Sequence, residues 1–82
     1  MTYKLYITNH GRERMAKRQI TETQVRQALC SGWNTRRPGN KPNVELVRVK
    51  VNGETKYPLQ VVFELVNGTI EVMSTVWKGK PD

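Results

Sequence analysis

The sequence predicts a small α+β protein with the element order β-α-α-β-β-β, in which a helical hairpin packs on a twisted antiparallel sheet. Three observations predict this class. Apolar residues recur at helical spacing in the first part of the chain. From Val44 onward they alternate with polar residues, which is the period of a strand. Two Asn-Gly pairs, at positions 52–53 and 67–68, interrupt the alternation and are strong hairpin signals.

The length and composition predict one domain over residues 1–82. A chain of 82 residues can bury only a modest core. No apolar run approaches the roughly 18 residues that a membrane-spanning helix needs, and no signal-peptide pattern follows Met1. The single cysteine, Cys30, excludes an internal disulfide and fits a reducing compartment. We therefore expect a cytoplasmic protein with no membrane association.

Residues 2–8 alternate loosely and predict a short strand or an extended lead-in. The helical hairpin is expected over about residues 9–31. Thr8 or Asn9 can cap its first helix, because either side-chain oxygen can accept from an N–H of the first turn. Met15 and Ala16 are the expected core contacts of that helix.

The second helix has the clearest local pattern in the chain. Thr21-x-x-Gln24 is a capping box, and Ile20 with Val25 would form the hydrophobic staple around it. Gly32 stands where a terminal glycine ends a helix. Cys30 is expected to be buried or half-buried on this helix.

Residues 33–43 are predicted to form a basic loop, because two prolines, one glycine and three asparagines interrupt both periodicities. A three-stranded antiparallel meander is predicted over 44–77, with Pro58 at a strand start or a bulge because proline cannot donate to a ladder. The alternation predicts that one face of the meander holds the following residues: Val47, Val49, Val51, Leu59, Val61, Phe63, Leu65, Ile70, Val72, Ser74 and Val76.

The charge is concentrated in the first half of the chain. The net charge is +7, and residues 1–42 hold nine of the fourteen cations but only two of the seven acids. This asymmetry is typical of proteins that bind a polyanion. Nucleic acid is the first candidate partner and an acidic protein the second, whereas a membrane surface is disfavoured because no basic segment has a strong apolar face.

The residue types exclude several kinds of site. One histidine, one cysteine and scattered acids supply no recognisable metal-ligand set, and no glycine-rich nucleotide-binding loop is present, so we expect no metal and no cofactor. The remaining candidate chemistry is acid–base catalysis by His10. If residues 10–18 are helical, His10, Arg14, Lys17 and Arg18 form one cationic stripe. The same stripe could be a solvated helix surface, in which Arg18 pairs with Glu22.

The pattern H-x-x-x-R-M-x-x-R-x-I-T, from His10 to Thr21, resembles the domain-of-unknown-function 4258 family, and the strand V-M-S-T-V-W, with Thr75 and Trp77, is similar to that family's last strand. The family resembles the barnase/EndoU/colicin/RelE group of ribonuclease toxins, and the resemblance implies a RelE/barnase-like fold. It also implies metal-independent RNA cleavage by His10, Arg14 and Arg18 with Thr75 and Trp77 from the sheet. Trp77 stands where the family often has tyrosine, so the tyrosine hydroxyl is missing from this position.

Two hypotheses follow. The first is a small toxin-like ribonuclease, in which a base deprotonates a 2′-OH and the oxygen attacks the adjacent phosphate. The second is a non-catalytic basic module that docks on nucleic acid or on an acidic protein such as an antitoxin. Both hypotheses assign contacts with the polyanion to seven cations of the N-terminal half and of the C-terminal tail: Arg12, Lys17, Arg36, Arg37, Lys41, Lys78 and Lys80.

Overall fold

The computed structural model describes residues 3–51 and 54–81, in which two helices pack on one face of a five-stranded sheet. The strands lie in the order β1-β5-β4-β3-β2, with β1 parallel to β5 and the other neighbouring pairs antiparallel. The predicted α+β class is confirmed, but the sheet is mixed and has a fifth strand. In chain order, the elements are β1 (Lys4–Ile7), α1 (Asn9–Arg18), α2 (Glu22–Gly32), a 3₁₀ turn (Trp33–Thr35), β2 (Arg37–Pro38), β3 (Val44–Val51), β4 (Glu54–Val66) and β5 (Thr69–Trp77).

The meander formed by β3, β4 and β5 confirms the sequence prediction for this part of the chain. Asn67 and Gly68 connect β4 to β5 with φ angles of 48° and 78°, the left-handed pair that a tight hairpin turn requires. The other predicted turn, Asn52-Gly53, lies outside the described residues. Pro58 lies in β4 opposite the register shift between Val49 and Val51, where its missing N–H breaks no regular ladder.

The loop predicted over residues 33–43 contains regular structure. A 3₁₀ turn follows α2 directly, and β2 then pairs antiparallel with β3, Arg37 opposite Leu46 and Pro38 opposite Glu45. The prediction was wrong here because a two-residue edge strand has no periodicity of its own. Proline is tolerated at such an edge, since no partner needs its N–H.

Both helices begin as their sequences predict. The Thr8 hydroxyl accepts from the Gly11 N–H at 3.0 Å and so caps α1. Thr21 and Gln24 form the predicted capping box of α2, with reciprocal bonds of 3.1 and 2.9 Å. These caps satisfy N–H groups that have no acceptor inside their helix.

The C-terminal ends of both helices have a geometry that the sequence pattern did not predict. Gln19 ends α1 in the left-handed region, with φ 56°, and the Ile20 N–H donates to the Met15 carbonyl at 2.9 Å. This is the geometry of a Schellman motif, in which glycine is the usual residue. Gly32 is the last residue of α2, and a Cβ there would lie 2.9 Å from the Cβ of Val47. Gly32 therefore allows α2 to approach β3 closely.

Each helix packs on the sheet, α1 on β5 and α2 on β3 and β4. The buried residues of α1 are Gly11 and Met15, which lie four apart on one face. Ala16 is exposed, contrary to the prediction, because it lies one helical step away from Met15. Cys30 is also exposed rather than half-buried. Among the described residues, no helix is long and apolar enough to cross a membrane.

A β-bulge reverses the face of the last part of β5. Phe63 pairs with Val72 but Val62 pairs with Ser74, so Met73 is an extra residue on β5. Beyond it the side chains change faces: Thr75 and Trp77 are buried on the helix side. The prediction that Ser74 and Val76 continue the core face of Ile70 and Val72 is therefore wrong.

Candidate functional site

The predicted cationic stripe lies along α1, open to solvent at His10 and reaching β5 at Arg18. His10 and Lys17 are exposed, whereas Arg14 and Arg18 are partly buried. The four side chains line one open groove, so the helix does bring them together as the spacing predicted. Glu13 lines the same groove, and sequence analysis missed it although it lies three residues after His10.

The first two residues of the stripe are in direct contact. Arg14 Nε donates to His10 Nε2 at 2.7 Å. A guanidinium can only donate, so His10 Nε2 is the acceptor in this contact. The pair thus joins a phosphate-binding group to a group that can accept a proton, and both are accessible from solvent.

Arg18 has a different environment at the end of the helix. Its Nη1 donates to the Thr75 carbonyl at 2.6 Å, while its own carbonyl accepts from Trp77 Nε1 at 2.9 Å. These two bonds fix the end of α1 on β5. The alternative that Arg18 pairs with Glu22 is wrong. The Glu22 carboxylate instead pairs with Arg26, with Nε 3.4 Å from Oε2, and with Arg12, with Nη2 3.7 Å from Oε1.

Thr75 and Trp77, to which the resemblance assigned catalytic roles, are 0% and 5% exposed. The Thr75 hydroxyl is buried and finds no hydrogen-bond partner among the described residues. Both side chains lie beneath α1 because of the bulge at Met73. The structure therefore places them next to Arg18 but away from the groove that His10 lines.

A second, smaller cleft lies at the C-terminal end of α1. It has a volume of about 220 Å³ and is lined by Lys17, Arg18 and Lys80 together with the edge of Trp77. Three cationic side chains from two separate segments thus surround one cleft, which favours an anionic group there. Lys78 is exposed on the same C-terminal segment.

The cations of residues 36–41 have a separate location. Arg36 donates to Glu45 at 3.0 Å and to the Trp33 carbonyl at 2.7 Å, and its guanidinium lies 4.4 Å from the centre of the Trp33 ring. The same ring stacks on Phe63 at 5.6 Å. Arg36 and Trp33 are thus engaged within the protein, whereas Arg37 and Lys41 are exposed.

The predicted cations therefore occupy two regions. α1 lies over β5, whereas Arg37 belongs to β2, and two strands separate β5 from β2. Adjacent strands are about 4.8 Å apart, so the two regions are about 14 Å apart across the sheet. Arg12 is exposed on α1 but pairs with Glu22.

The described residues offer few side chains that could bind a metal ion. In the described parts of the chain, no three His, Cys, Asp or Glu side chains lie together as metal ligands would. The chemistry that these residues offer is proton transfer by the imidazole beside cationic groups.

One of the comparisons with known proteins found a match. The model of a domain of unknown function, DUF4258, matches residues 7–78, which include both helices, the groove residues and β5. No curated protein and no solved structure matches the chain.

Proposed function

The chain belongs to the DUF4258 family, a domain family of unknown function, and we propose that it is a small cytoplasmic ribonuclease that cleaves RNA without a metal ion. The element order supports the further proposal that the fold is of the RelE/barnase type. The observation on which the function rests is the 2.7 Å contact between Arg14 and His10 in an exposed cationic groove.

In this proposal Arg14 and Lys17 bind the phosphate of the bond to be cleaved. To bind the phosphate, the Arg14 guanidinium turns away from the imidazole. This movement leaves His10 Nε2 free to accept a proton. Nε2 takes the proton of the 2′-OH, the 2′ oxygen forms a bond to phosphorus, and the bond from phosphorus to the 5′ oxygen breaks. The 5′ oxygen takes a proton from water, so the products are a 2′,3′-cyclic phosphate and a 5′-hydroxyl. The guanidinium stabilises the charge that develops on the phosphorane.

Arg18, Thr75 and Trp77 have a positioning role in the same proposal. Their contacts hold the end of α1 on β5 and thereby orient the groove. Because Thr75 and Trp77 are buried, they would act on RNA only through Arg18 and the helix. The cleft at Lys17 and Lys80 would bind a neighbouring phosphate of the same strand.

The burial of Thr75 and Trp77 favours a second candidate, the non-catalytic module that binds nucleic acid or an acidic protein such as an antitoxin. In that case His10 and Arg14 form a surface contact without chemical consequence. The two candidates share the cationic groove and differ only in whether His10 moves a proton.

The test compares the wild type with His10→Ala on an end-labelled single-stranded RNA, with EDTA present. We expect His10→Ala to lower the cleavage rate by about 10²–10⁴-fold, the usual contribution of a general base. RNA binding should change little, since a neutral imidazole adds little to phosphate affinity. The wild-type product should end in a 2′,3′-cyclic phosphate.

Asn9→Ala, on the neighbouring residue of the same helix, is the matched control, and we expect it to retain cleavage. All proteins are purified in parallel so that a contaminating nuclease appears in every sample. Wild-type protein that binds RNA and leaves it intact would remove the ribonuclease and leave the binding module.

A further inference from the structure

One face of the sheet is not covered by any described helix. The residues that point toward α1 and α2 include Val47, Val61 and Val72, all fully buried. Their neighbours along each strand point to the opposite side. We call that side the open face and define it by these residues: Tyr6 on β1, Arg37 on β2, Val44, Leu46 and Arg48 on β3, Gln60, Val62 and Glu64 on β4, and Glu71, Ser74 and Val76 on β5.

The strand register arranges the open face in three rows. In the first row, Glu64 and Glu71 lie opposite each other between Val44 and Tyr6. In the second row, Leu46, Val62 and Ser74 lie side by side, and Arg37 is exposed at the edge of the sheet on β2. In the third row, Arg48 flanks Gln60 and Val76. Rows two residues apart along a strand are separated by about 6.8 Å. The face thus has an acidic row, a largely apolar row with Arg37 at its edge, and a row that holds Arg48.

The Arg48 side chain extends from β3 across to the neighbouring strand β4. Its Nε and Nη2 donate to Gln60 Oε1 at 3.1 and 2.8 Å, so the guanidinium lies over β4. Glu64 is on the same strand, four residues further along. Along β4 the open face therefore presents a guanidinium, the half-buried side chain of Val62 and then a carboxylate.

The acidic row is unfavourable in the isolated chain. Two carboxylates directly opposite each other on neighbouring strands repel one another. Within residues 3–51 and 54–81, neither Glu64 nor Glu71 makes one of the ion pairs, which join Arg12, Arg26 and Arg36 to Glu22 or Glu45. A cation from outside the subunit would remove this repulsion.

We propose that the open face binds a second copy of this chain, sheet against sheet. The two copies are related by a two-fold axis that lies in the plane of the interface and runs perpendicular to the strands. This axis reverses the strand direction and places the middle row of one copy over the middle row of the other. It also places the Arg48 guanidinium of one subunit opposite Glu64 and Glu71 of its partner. Each contact then forms twice, as in any isologous dimer.

The size of the molecule sets an upper limit to this interface. Its two longest dimensions are 33 and 26 Å, so one whole side of it could bury at most roughly 800 Å² per subunit, the area of a standard stable interface. The open face is smaller than this limit, so we expect a reversible dimer. The helices lie on the outside of this dimer, so both His10 grooves stay accessible, and the dimer does not depend on the ribonuclease proposal.

The test uses two charge reversals, Arg48→Glu and Glu64→Arg, and sedimentation equilibrium of the full chain. We expect the wild type to form a dimer reversibly at micromolar concentration. Each reversal places like charges opposite each other twice and should weaken the dimer by at least about tenfold. An equimolar mixture of the two variants should form a mixed dimer more tightly than either variant forms its own dimer, because both contacts between positions 48 and 64 in it again join opposite charges.

Fluorescent labelling of one variant identifies the mixed dimer, and circular dichroism checks that each variant is folded. Arg26→Glu, which makes the same charge change as Arg48→Glu on an exposed residue of α2, on the other side of the sheet, should leave the dimer unchanged. The proposal is overturned if the wild type stays monomeric at millimolar concentration, or if mixing the variants restores nothing.

Discussion

Thr75 has a buried hydroxyl whose hydrogen-bonding capacity is not used by any described residue. Its side chain is completely buried beneath α1, and within residues 3–51 and 54–81 its hydroxyl has no hydrogen-bond partner. An unpaired buried hydroxyl costs about 1–3 kcal/mol. Thr75→Val removes the hydroxyl and keeps the shape, so we expect the free energy of unfolding to rise by about 1 kcal/mol. For a domain of this size that increase raises Tm by about 4–8 °C, measured by thermal denaturation.

Thr8→Val is the matched control for this prediction. The Thr8 hydroxyl accepts from the Gly11 N–H at 3.0 Å and donates to the Val72 carbonyl at 3.1 Å. The same substitution should there lower the free energy of unfolding by about 1–2 kcal/mol. If Thr75→Val instead abolished RNA cleavage in a folded protein, the hydroxyl would have a direct role that its burial argues against.

At the scale of single residues, sequence could predict contacts within one helix but not contacts between elements. The spacing of His10 and Arg14 predicted a shared face, and their side chains meet at 2.7 Å. The bond from Trp77 Nε1 to the Arg18 carbonyl could not be predicted, because it depends on where α1 lies on the sheet. The same applies to Arg36, whose contact with Trp33 follows from the 3₁₀ turn.

At the scale of elements, the end of α1 offers a direct test. Gln19 occupies the left-handed region with φ 56°, which costs a residue with a Cβ about 1–2 kcal/mol. Glycine avoids this cost but loses about 0.5–1 kcal/mol through its greater freedom in the unfolded chain. We therefore expect Gln19→Gly to raise the free energy of unfolding by up to about 1 kcal/mol in urea denaturation.

The control for Gln19→Gly is Ala16→Gly, three residues earlier on the exposed side of the same helix. It should lower the free energy of unfolding by about 1 kcal/mol, the usual difference between alanine and glycine inside a helix. If both substitutions destabilise the protein, the left-handed Gln19 is not strained.

The bulge in β5 shows why one strand was only partly predicted. Both phases of V-M-S-T-V-W contain apolar side chains, so alternation alone cannot reveal that Met73 is an extra residue. The consequence reaches the candidate site, because the bulge turns Thr75 and Trp77 toward Arg18. In β4, by contrast, Leu59, Val61 and Phe63 are all buried as their regular alternation predicted.

At the scale of the whole molecule, the net charge predicted a polyanion partner but not which surface would bind it. Most cations of the first half lie in two regions, along α1 and near β2, with β4 and β3 between the supporting strands, whereas Lys4 is on β1 and Arg26 on α2. Only the α1 region combines cations with His10 and includes the cleft at Lys80. We therefore expect RNA to bind along α1.

Two double variants that remove equal charge separate the regions. Lys17→Ala with Lys80→Ala removes two cations at the cleft, whereas Arg37→Ala with Lys41→Ala removes two exposed cations near β2. The observable is the slope of log affinity for single-stranded RNA against log salt concentration, which decreases by about 0.7 for each phosphate that the protein no longer binds. We expect the first pair to lower the slope by about 1.4 and the second to leave it nearly unchanged, since cations act on phosphates locally. The reverse result would place the RNA near β2, away from His10, and would count against both the groove and the cleavage that we propose there.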